Sequence, residues 1–152
     1  MMSDRFIELN TTGWIAKHRD QYVEDGEAGH LWDSAPVGGP GELPTLLLIT
    51  VGRKSRKESI MPLLYSDVPR GYAIIASRGG DTRHPGWYHN LLAQKEVKVK
   101  VVNETFQAAT RLASGDERTA IWDQMTAMYP PFAKYKVKAV PREIPVVVLE
   151  RK

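Results

Sequence analysis

Cysteine is absent from all 152 residues of the chain. The protein therefore has no disulfide bond, no thiolate metal ligand and no thiol nucleophile, and a cytoplasmic location is expected. Long apolar runs are also missing, because runs such as residues 46–49 and 72–76 are far shorter than the roughly 20 residues of a membrane-spanning helix. Residues 1–5 lack the apolar core that a signal peptide requires.

Motifs for hydrolytic or metal chemistry are missing as well. The four histidines show no His-Glu-x-x-His pairing and no ligand spacing, so no metal site is predicted. No Gly-x-Ser-x-Gly elbow is present for a serine nucleophile, and no Gly-x-Gly-x-x-Gly follows a predicted strand. The acidic residues form no conspicuous catalytic pair. These absences leave a binding site as the favoured kind of functional site and argue against a Rossmann dinucleotide fold.

Positive charge is present, and it is concentrated in turns. The formal net charge is +3, and the isoelectric point is near 9.2. Residues 53–57 place four cations in five positions between two apolar runs, and Ser77-Arg78-Gly79-Gly80 follows the next apolar run. Cations this close repel one another, so a bound phosphate or carboxylate would stabilise the turn. A solvated surface turn is the alternative on charge alone.

The apolar pattern predicts a mainly β protein with inserted helices (α+β). Six strands are expected, at 45–51, 59–66, 71–77, 97–101, 105–112 and 144–149. Helices are expected at 13–25, 85–93 and 115–128, and a short apolar and basic piece at 132–138. Ser114 and Glu117 form a capping box before the third helix. Short strands with helices inserted late favour an antiparallel barrel over alternating βαβ units.

The length predicts a single domain over residues 1–152. Residues 1–44 are expected to form a helix and an irregular segment that wraps the core, and residues 45–152 the barrel itself.

Aromatic residues near the inserted helices complete the candidate site. They are Tyr65, Trp87, Tyr88, Tyr129, Phe132 and Tyr135. Singly, Trp87 is more typical of a core position, but together with the cationic turns the rings suit a flat, conjugated, phosphorylated ligand. A nucleic-acid-binding module is the alternative, since a small basic barrel with exposed aromatic rings can stack bases.

Several segments, in unbroken order, carry a family resemblance. They are Thr50-Val51-Gly52-Arg53-Lys54-Ser55, Pro62-Leu63 with Tyr65, Ala76-Ser77-Arg78-Gly79-Gly80, His84-Pro85-Gly86-Trp87-Tyr88-His89-Asn90-Leu91, Met128-Tyr129-Pro130 and the end of the chain from Arg142. This pattern resembles the deazaflavin-dependent nitroreductase and quinone reductase family. The resemblance implies a six-stranded antiparallel split β-barrel of the flavin-mononucleotide-binding type. It also implies an oxidoreductase that transfers a hydride from reduced coenzyme F420 to a quinone, an enone or a nitro compound.

The resemblance also implies which residues form the site. Those implied for the cofactor are Arg53, Lys54, Ser55, Ser59, Ile60, Met61, Pro62, Leu63, Leu64, Ile75, Ala76, Ser77, Arg78, Gly86, Trp87, Tyr88, His89, Asn90 and Phe132. Those implied for the acceptor side are Tyr129, Phe132 and Tyr135. The candidates for protonating the acceptor are Tyr129, Tyr135 and Ser77, because they carry uncharged hydroxyls close to it. A phenol near its ordinary pKa of about 10 is a sluggish acid at neutral pH, so the two tyrosines are expected to orient the acceptor rather than protonate it.

Some alternatives stay open on the sequence. Flavin mononucleotide is the alternative cofactor, and a non-catalytic deazaflavin- or flavin-binding protein is the alternative function. The protein is expected to be a monomer or a homodimer with a small-molecule electron acceptor and no nucleic-acid partner. Lys134, Lys136 and Lys138 flank Tyr135 closely, so peripheral contact with anionic lipid at the inner face of the plasma membrane is expected if the acceptor is a membrane quinone.

Overall fold

A computed structural model describes residues 13–94 and 96–152. The helices are α1 (Trp14–Glu24), α2 (Gly26–Gly29), α3 (Gly86–Leu92), α4 (Gly115–Met128) and α5 (Pro131–Ala139). The strands are β1 (Leu31–Asp33), β2 (Glu42–Val51), β3 (Glu58–Leu64), β4 (Ser66–Val68), β5 (Gly71–Ile75), β6 (Glu96–Val101), β7 (Glu104–Leu112) and β8 (Val146–Arg151). Short 3₁₀ turns lie at Ala35–Val37 and Arg78–Gly80.

The strands form one curled antiparallel sheet. Their order is β1-β2-β6-β7-β8-β5-β4, and β3 pairs with β2. Tyr65 alone separates β3 from β4, so the chain passes directly from a strand bonded to β2 into a strand bonded to β5. This continuity brings the two ends of the sheet together and gives the mainly antiparallel barrel with helices that the sequence predicts.

The strand count differs from the prediction. The described residues contain eight strands rather than six, because β1 and β4 add to the six expected ones. Each of these two strands has three residues, which is too short for an alternating pattern to appear in the sequence. The segment 26–44, expected to be irregular, therefore holds a helical turn, a strand and the beginning of β2.

The sheet separates two apolar clusters. One fills the barrel and includes Leu48, Ile74 and Leu149, and the other lies between the sheet and the helices α4 and α5 and includes Ile75 and Met125. Neighbouring residues of β5 thus enter opposite clusters, as the alternation of side chains along a strand requires. The second cluster fixes α5 against the sheet, next to the candidate site.

The predicted helices are present with one local difference. Helices α1 and α3 are shorter than predicted by one residue at each end, α4 spans the predicted residues, and the piece at 132–138 is the helix α5. The prediction of a capping box at the start of α4 is wrong, because the side chain of Ser114 makes no capping hydrogen bond. Gly115 begins the helix with a left-handed backbone (φ 58°), so the chain enters in a geometry that a capping box does not have.

Helix α1 is held on the barrel by the buried side chain of Tyr22. Its hydroxyl donates to the carbonyl oxygen of Thr45 at 2.8 Å and accepts from the backbone N–H of Val102 at 2.9 Å. The ammonium of Lys100 donates to the carbonyl oxygens of Tyr22 and Val23 near the end of the helix, where its charge also complements the helix dipole. These contacts fix the position of α1, whose first turns face the candidate site.

We expect Tyr22→Phe to lower the free energy of unfolding by about 1–3 kcal/mol, because the buried carbonyl of Thr45 and the partly buried N–H of Val102 lose their partner. Urea unfolding followed by circular dichroism measures this as a lower midpoint with an unchanged slope. Tyr72→Phe is the control, since the ring of Tyr72 packs on Tyr65 while its hydroxyl has no hydrogen-bond partner among the described residues. Equal midpoints for the two variants would contradict this role of Tyr22.

Candidate functional site

A cavity of about 290 Å³ lies where α1, β3, the end of β5, α3 and α5 meet. Eleven residues that the resemblance implies for the site line it: Met61, Pro62, Leu63, Leu64, Ile75, Ser77, Arg78, Trp87, Tyr129, Phe132 and Tyr135. The remaining lining residues are Trp14, Ile15, His18, Trp32, Val37, Thr45, Gly79 and Pro85. Most of the wall is aromatic or aliphatic, and the polar groups are few, as in typical small-molecule sites.

One wall of the cavity is the end of strand β3. Residues 61–64 line it, and Pro62 lies within the stretch where β3 pairs with β2. Because proline has no N–H to donate, it is tolerated in a strand that pairs along one edge, and β3 has only β2 as a ladder partner in the described part of the chain. The proline is therefore compatible with the position of β3 beside a single ladder partner.

A second wall is a cluster of three aromatic rings, two from α5 and one from Tyr129, which lies between α4 and α5. The rings of Tyr129 and Phe132 meet edge to face with centroids 4.9 Å apart, and those of Phe132 and Tyr135 are 6.1 Å apart. The hydroxyls of Tyr129 and Tyr135 share a hydrogen bond of 2.8 Å. Burial raises the pKa of Tyr129 well above its ordinary value, and the hydrogen bond to Tyr135 raises it further. Tyr129 is thus a weaker acid than a free tyrosine.

The N-terminal segment supplies a third wall that the motif reasoning missed. The indole rings of Trp14 and Trp32 stack, with centroids 5.1 Å apart and planes 10° apart, and Trp32 also contacts the ring of Tyr129. Trp14 lies on α1 and Trp32 on β1, so neither stands near a recognised motif in the chain. The available signal was the presence of two of the four tryptophans within residues 13–44.

The cationic turn between β2 and β3 lies beside the cavity rather than in its wall. Both the backbone N–H and the guanidinium of Arg53 donate to the side-chain oxygen of Asn90, at 3.2 and 3.1 Å. The guanidinium also reaches the carbonyl oxygen of Gly86 at 3.5 Å. Since Gly86 lies between Pro85 and Trp87, which both line the cavity, these contacts place the turn at the cavity's edge.

The other cations of this turn are available to an anion. Lys54, Arg56 and Lys57 are exposed, and within the described residues none of them has a carboxylate at ion-pair distance. The exposed side chain of Ser55 stabilises the turn, because its hydroxyl oxygen accepts a hydrogen bond from the N–H of Lys57 at 3.2 Å. Three uncompensated cations on a fixed turn form a ready site for phosphate or carboxylate groups.

The second cationic turn contributes directly to the wall. Ser77, Arg78 and Gly79 line the cavity, and residues 78–80 have left-handed backbones with φ of 48°, 62° and 83°. A Cβ atom on Gly80 would come within 2.9 Å of the Cα atom of Tyr135, so glycine allows α5 to pack closely on this turn. The structure thus brings Ser77 and Arg78 next to the cluster of three aromatic rings.

Some residues implied for the cofactor lie outside the cavity wall. They are the turn residues Arg53, Lys54 and Ser55, the α3 residues Gly86, Tyr88, His89 and Asn90, and Ser59, Ile60 and Ala76. Ser59 and Ile60 pair with the end of β2, and Ala76 is fully buried. The ring of Tyr88 packs against His84 at 4.7 Å, and burial raises the pKa of Tyr88. Contact between these residues and a cofactor stays a prediction.

Two further features of the described residues bear on the kind of site. No group of three or more histidine and carboxylate side chains is arranged to hold a metal ion there. None of the helices in that part of the chain is long and apolar enough to cross a membrane.

Comparisons with known proteins show the family of this chain. Residues 17–151 match the family model of F420H(2)-dependent quinone reductases. A protein of Mycobacterium tuberculosis described as an F420H(2)-dependent quinone reductase is 34% identical over 150 residues, which is 95% of this chain and all of that protein. A solved structure titled F420-H2 dependent reductase is 37% identical with a TM-score of 0.64, over 70% of this chain and 94% of that one.

A more distant structure shows the same fold. The heme storage protein HutZ of Vibrio cholerae superposes with a TM-score of 0.53 at 15% identity, over 71% of this chain and 81% of that one. At that identity the likeness concerns the fold alone, whereas the family model and the relatives above cover most of the chain at higher identity. The family expected from the motifs is therefore confirmed: the chain belongs to the F420H(2)-dependent quinone reductase family.

Proposed function

We propose that this protein is an oxidoreductase that transfers a hydride from reduced coenzyme F420 to a quinone-type acceptor, with enones and nitro compounds as further acceptors. The observation that carries the proposal is an apolar, aromatic cavity beside a turn with three exposed cations, none of which has a carboxylate partner among residues 13–94 and 96–152. An apolar cavity suits a planar ring, and the cations suit an anionic tail. The names of the relatives point to the same cofactor and acceptor.

The residues present fit the deazaflavin cofactor. The flat wall formed by residues 61–64 and the ring of Trp87 would hold the deazaflavin ring, and Ser77 and Arg78 would edge it. Lys54 and Arg56 would hold the phosphate and the acidic tail outside the cavity. When bound, the cofactor supplies the hydride itself, so the protein has to bind, orient and exclude water.

The acceptor would occupy the side of the cavity that is bounded by the stacked indoles and by the cluster of three aromatic rings. The rings of Trp14, Trp32 and Tyr135 present a wall against which a planar quinone can stack. Tyr129 holds Tyr135 through their shared hydrogen bond, and the raised pKa of Tyr129 makes its hydroxyl a poor proton donor. Solvent would therefore provide the proton, and Tyr129, Tyr135 and Ser77 would orient the acceptor.

The alternatives fit the structure less well. Base stacking on single strands needs exposed rings, whereas Trp87, Tyr129 and Phe132 are buried around a cavity. Flavin mononucleotide carries a phosphate but no long acidic tail, so it would leave part of the cationic turn unused. A non-catalytic binding protein and the flavin-mononucleotide-binding class of split barrel both stay predictions that the binding and turnover measurements below address.

The proposal is tested by titrating the protein's tryptophan fluorescence with F420, with flavin mononucleotide and with an oligonucleotide. We expect F420 to bind most tightly and the reduced cofactor to be oxidised when a quinone is added. Lys54→Ala should weaken F420 binding by roughly threefold to tenfold, because a charge-assisted contact at a solvent-exposed site is lost.

Two controls isolate the role of the turn. Lys17→Ala, on the exposed face of α1, should bind F420 like the wild type. A deazaflavin that lacks the phosphate and acidic tail should bind wild type and Lys54→Ala equally. Tighter binding of flavin mononucleotide or of the oligonucleotide would overturn the assignment of the cofactor. If Lys54→Ala weakened the binding of the tailless deazaflavin as much as that of F420, Lys54 would not contact the tail.

The role of Tyr135 is tested by steady-state kinetics with a quinone acceptor. We expect Tyr135→Phe to keep near-normal kcat and Tyr135→Ala to raise KM by roughly tenfold, because the stacking ring is removed. Trp14→Leu should raise KM in the same direction, since it removes one of the stacked indoles. A fall in kcat of about a hundredfold for Tyr135→Phe would instead identify the hydroxyl as the general acid.

Contact with an anionic membrane is a further part of the proposal. Lys134 and Lys138 are exposed on α5, next to Val137, which is 74% exposed, while Lys136 lies 5.6 Å from the ring of Trp122. We expect the protein to sediment with vesicles of phosphatidylglycerol and not with phosphatidylcholine. The double change Lys134→Gln and Lys138→Gln should weaken this binding by roughly 1 kcal/mol per lysine. Unchanged sedimentation would remove α5 from the proposal.

A further inference from the structure

The side chain of Arg142 lies under the segment that leaves β5, and all five of its N–H groups have acceptors. Its Nε donates to the carbonyl oxygen of Asp81 at 3.0 Å, and its Nη2 donates to the same oxygen at 2.8 Å and to that of Ser77 at 2.7 Å. Its Nη1 donates to the carbonyl oxygen of Ala76 at 3.0 Å and lies 3.1 Å from Nδ1 of His84.

The segment held in this way has few hydrogen bonds of its own. Residues 77–81 belong to no strand, and three of them in succession have left-handed backbones. Two backbone hydrogen bonds close the turn, from Gly80 to Ser77 and from Asp81 to Arg78. The carbonyl groups of residues 76, 77 and 81 all point at one guanidinium, which holds the beginning and the end of the turn together.

His84 can act only as an acceptor in this arrangement. A guanidinium carries no acceptor, so Nδ1 of His84 must receive the hydrogen bond and the ring proton must reside on Nε2. Burial and the charge of Arg142 lower the pKa of His84, with a smaller contribution from His89, which favours the neutral ring. Four acceptor atoms, three carbonyl oxygens and one imidazole nitrogen, thus surround one cation.

We propose that Arg142 is a positioning residue, which holds residues 76–84 in the conformation that presents Ser77 and Arg78 to the cofactor side of the cavity. This inference rests on the function proposed above. The planar fork of arginine spans carbonyl groups at both ends of the turn, whereas the single nitrogen of lysine reaches one end. Arg142→Lys therefore keeps the charge and loses the geometry.

The test compares Arg142→Lys with Arg111→Lys by hydrogen exchange and by F420 titration. Arg111 is the matched control, because it also makes several hydrogen bonds, to Glu117 and Glu150, on the exposed face away from the cavity. We expect the amides of Gly80 and Asp81 to exchange about tenfold faster in Arg142→Lys, with F420 affinity lowered about tenfold. Arg111→Lys should leave both measurements unchanged.

Each outcome decides a separate point. Unchanged exchange in Arg142→Lys would overturn the positioning role, and faster exchange with unchanged F420 affinity would overturn its link to the cofactor. Wild-type protein that fails to bind F420 would refute the proposed function and that link, while the exchange result would still decide whether Arg142 holds the turn.

If Arg142→Lys does not fold, His84→Ala serves as the second variant, because it removes one of the four acceptors of Arg142. The amides of residues 77–83 should then exchange about threefold faster. Unchanged exchange would overturn the proposal.

Discussion

The carboxamide of Asn90 joins the three elements that fix the candidate site. Its oxygen accepts two hydrogen bonds from Arg53, and its nitrogen donates to the hydroxyl of Thr50 at 3.2 Å. Because Asn90 is buried on α3, these bonds hold the end of β2, the cationic turn and the helix in one arrangement. A turn with four cations needs such a fixed partner, because repulsion between the charges would otherwise push its side chains apart and disorder it.

The site that results has a gradient of polarity. Apolar and aromatic groups line the cavity, and the cations stand at its edge on the turn that Asn90 holds. This arrangement suits a ligand with a flat ring at one end and anionic groups at the other, which is the chemistry of the proposed cofactor. It also accounts for the missing catalytic acid, base and nucleophile, because a hydride donor needs orientation and a dry cavity more than proton transfer by the protein.

Residues far apart in the chain hold the walls of the cavity. Tyr22 fixes α1 to the barrel, so that Trp14 stacks on Trp32 at the cavity, and Arg142 fixes the turn that carries Ser77 and Arg78. Both side chains act through hydrogen bonds to backbone groups rather than through the ligand. The wall is therefore set by hydrogen bonds that lie behind it.

The sequence by itself determined the antiparallel barrel, the helices and the cationic turns, because alternation, helical spacing and local charge depend on neighbours in the chain. It also identified the family, since the motifs stand in a fixed order. Only the tertiary structure decided that Trp14 and Trp32 stack into the wall, that Tyr129 and Tyr135 share a hydrogen bond, and that Arg142 holds the turn. These contacts join segments whose meeting depends on how the sheet curls and the helices pack, which no local pattern encodes.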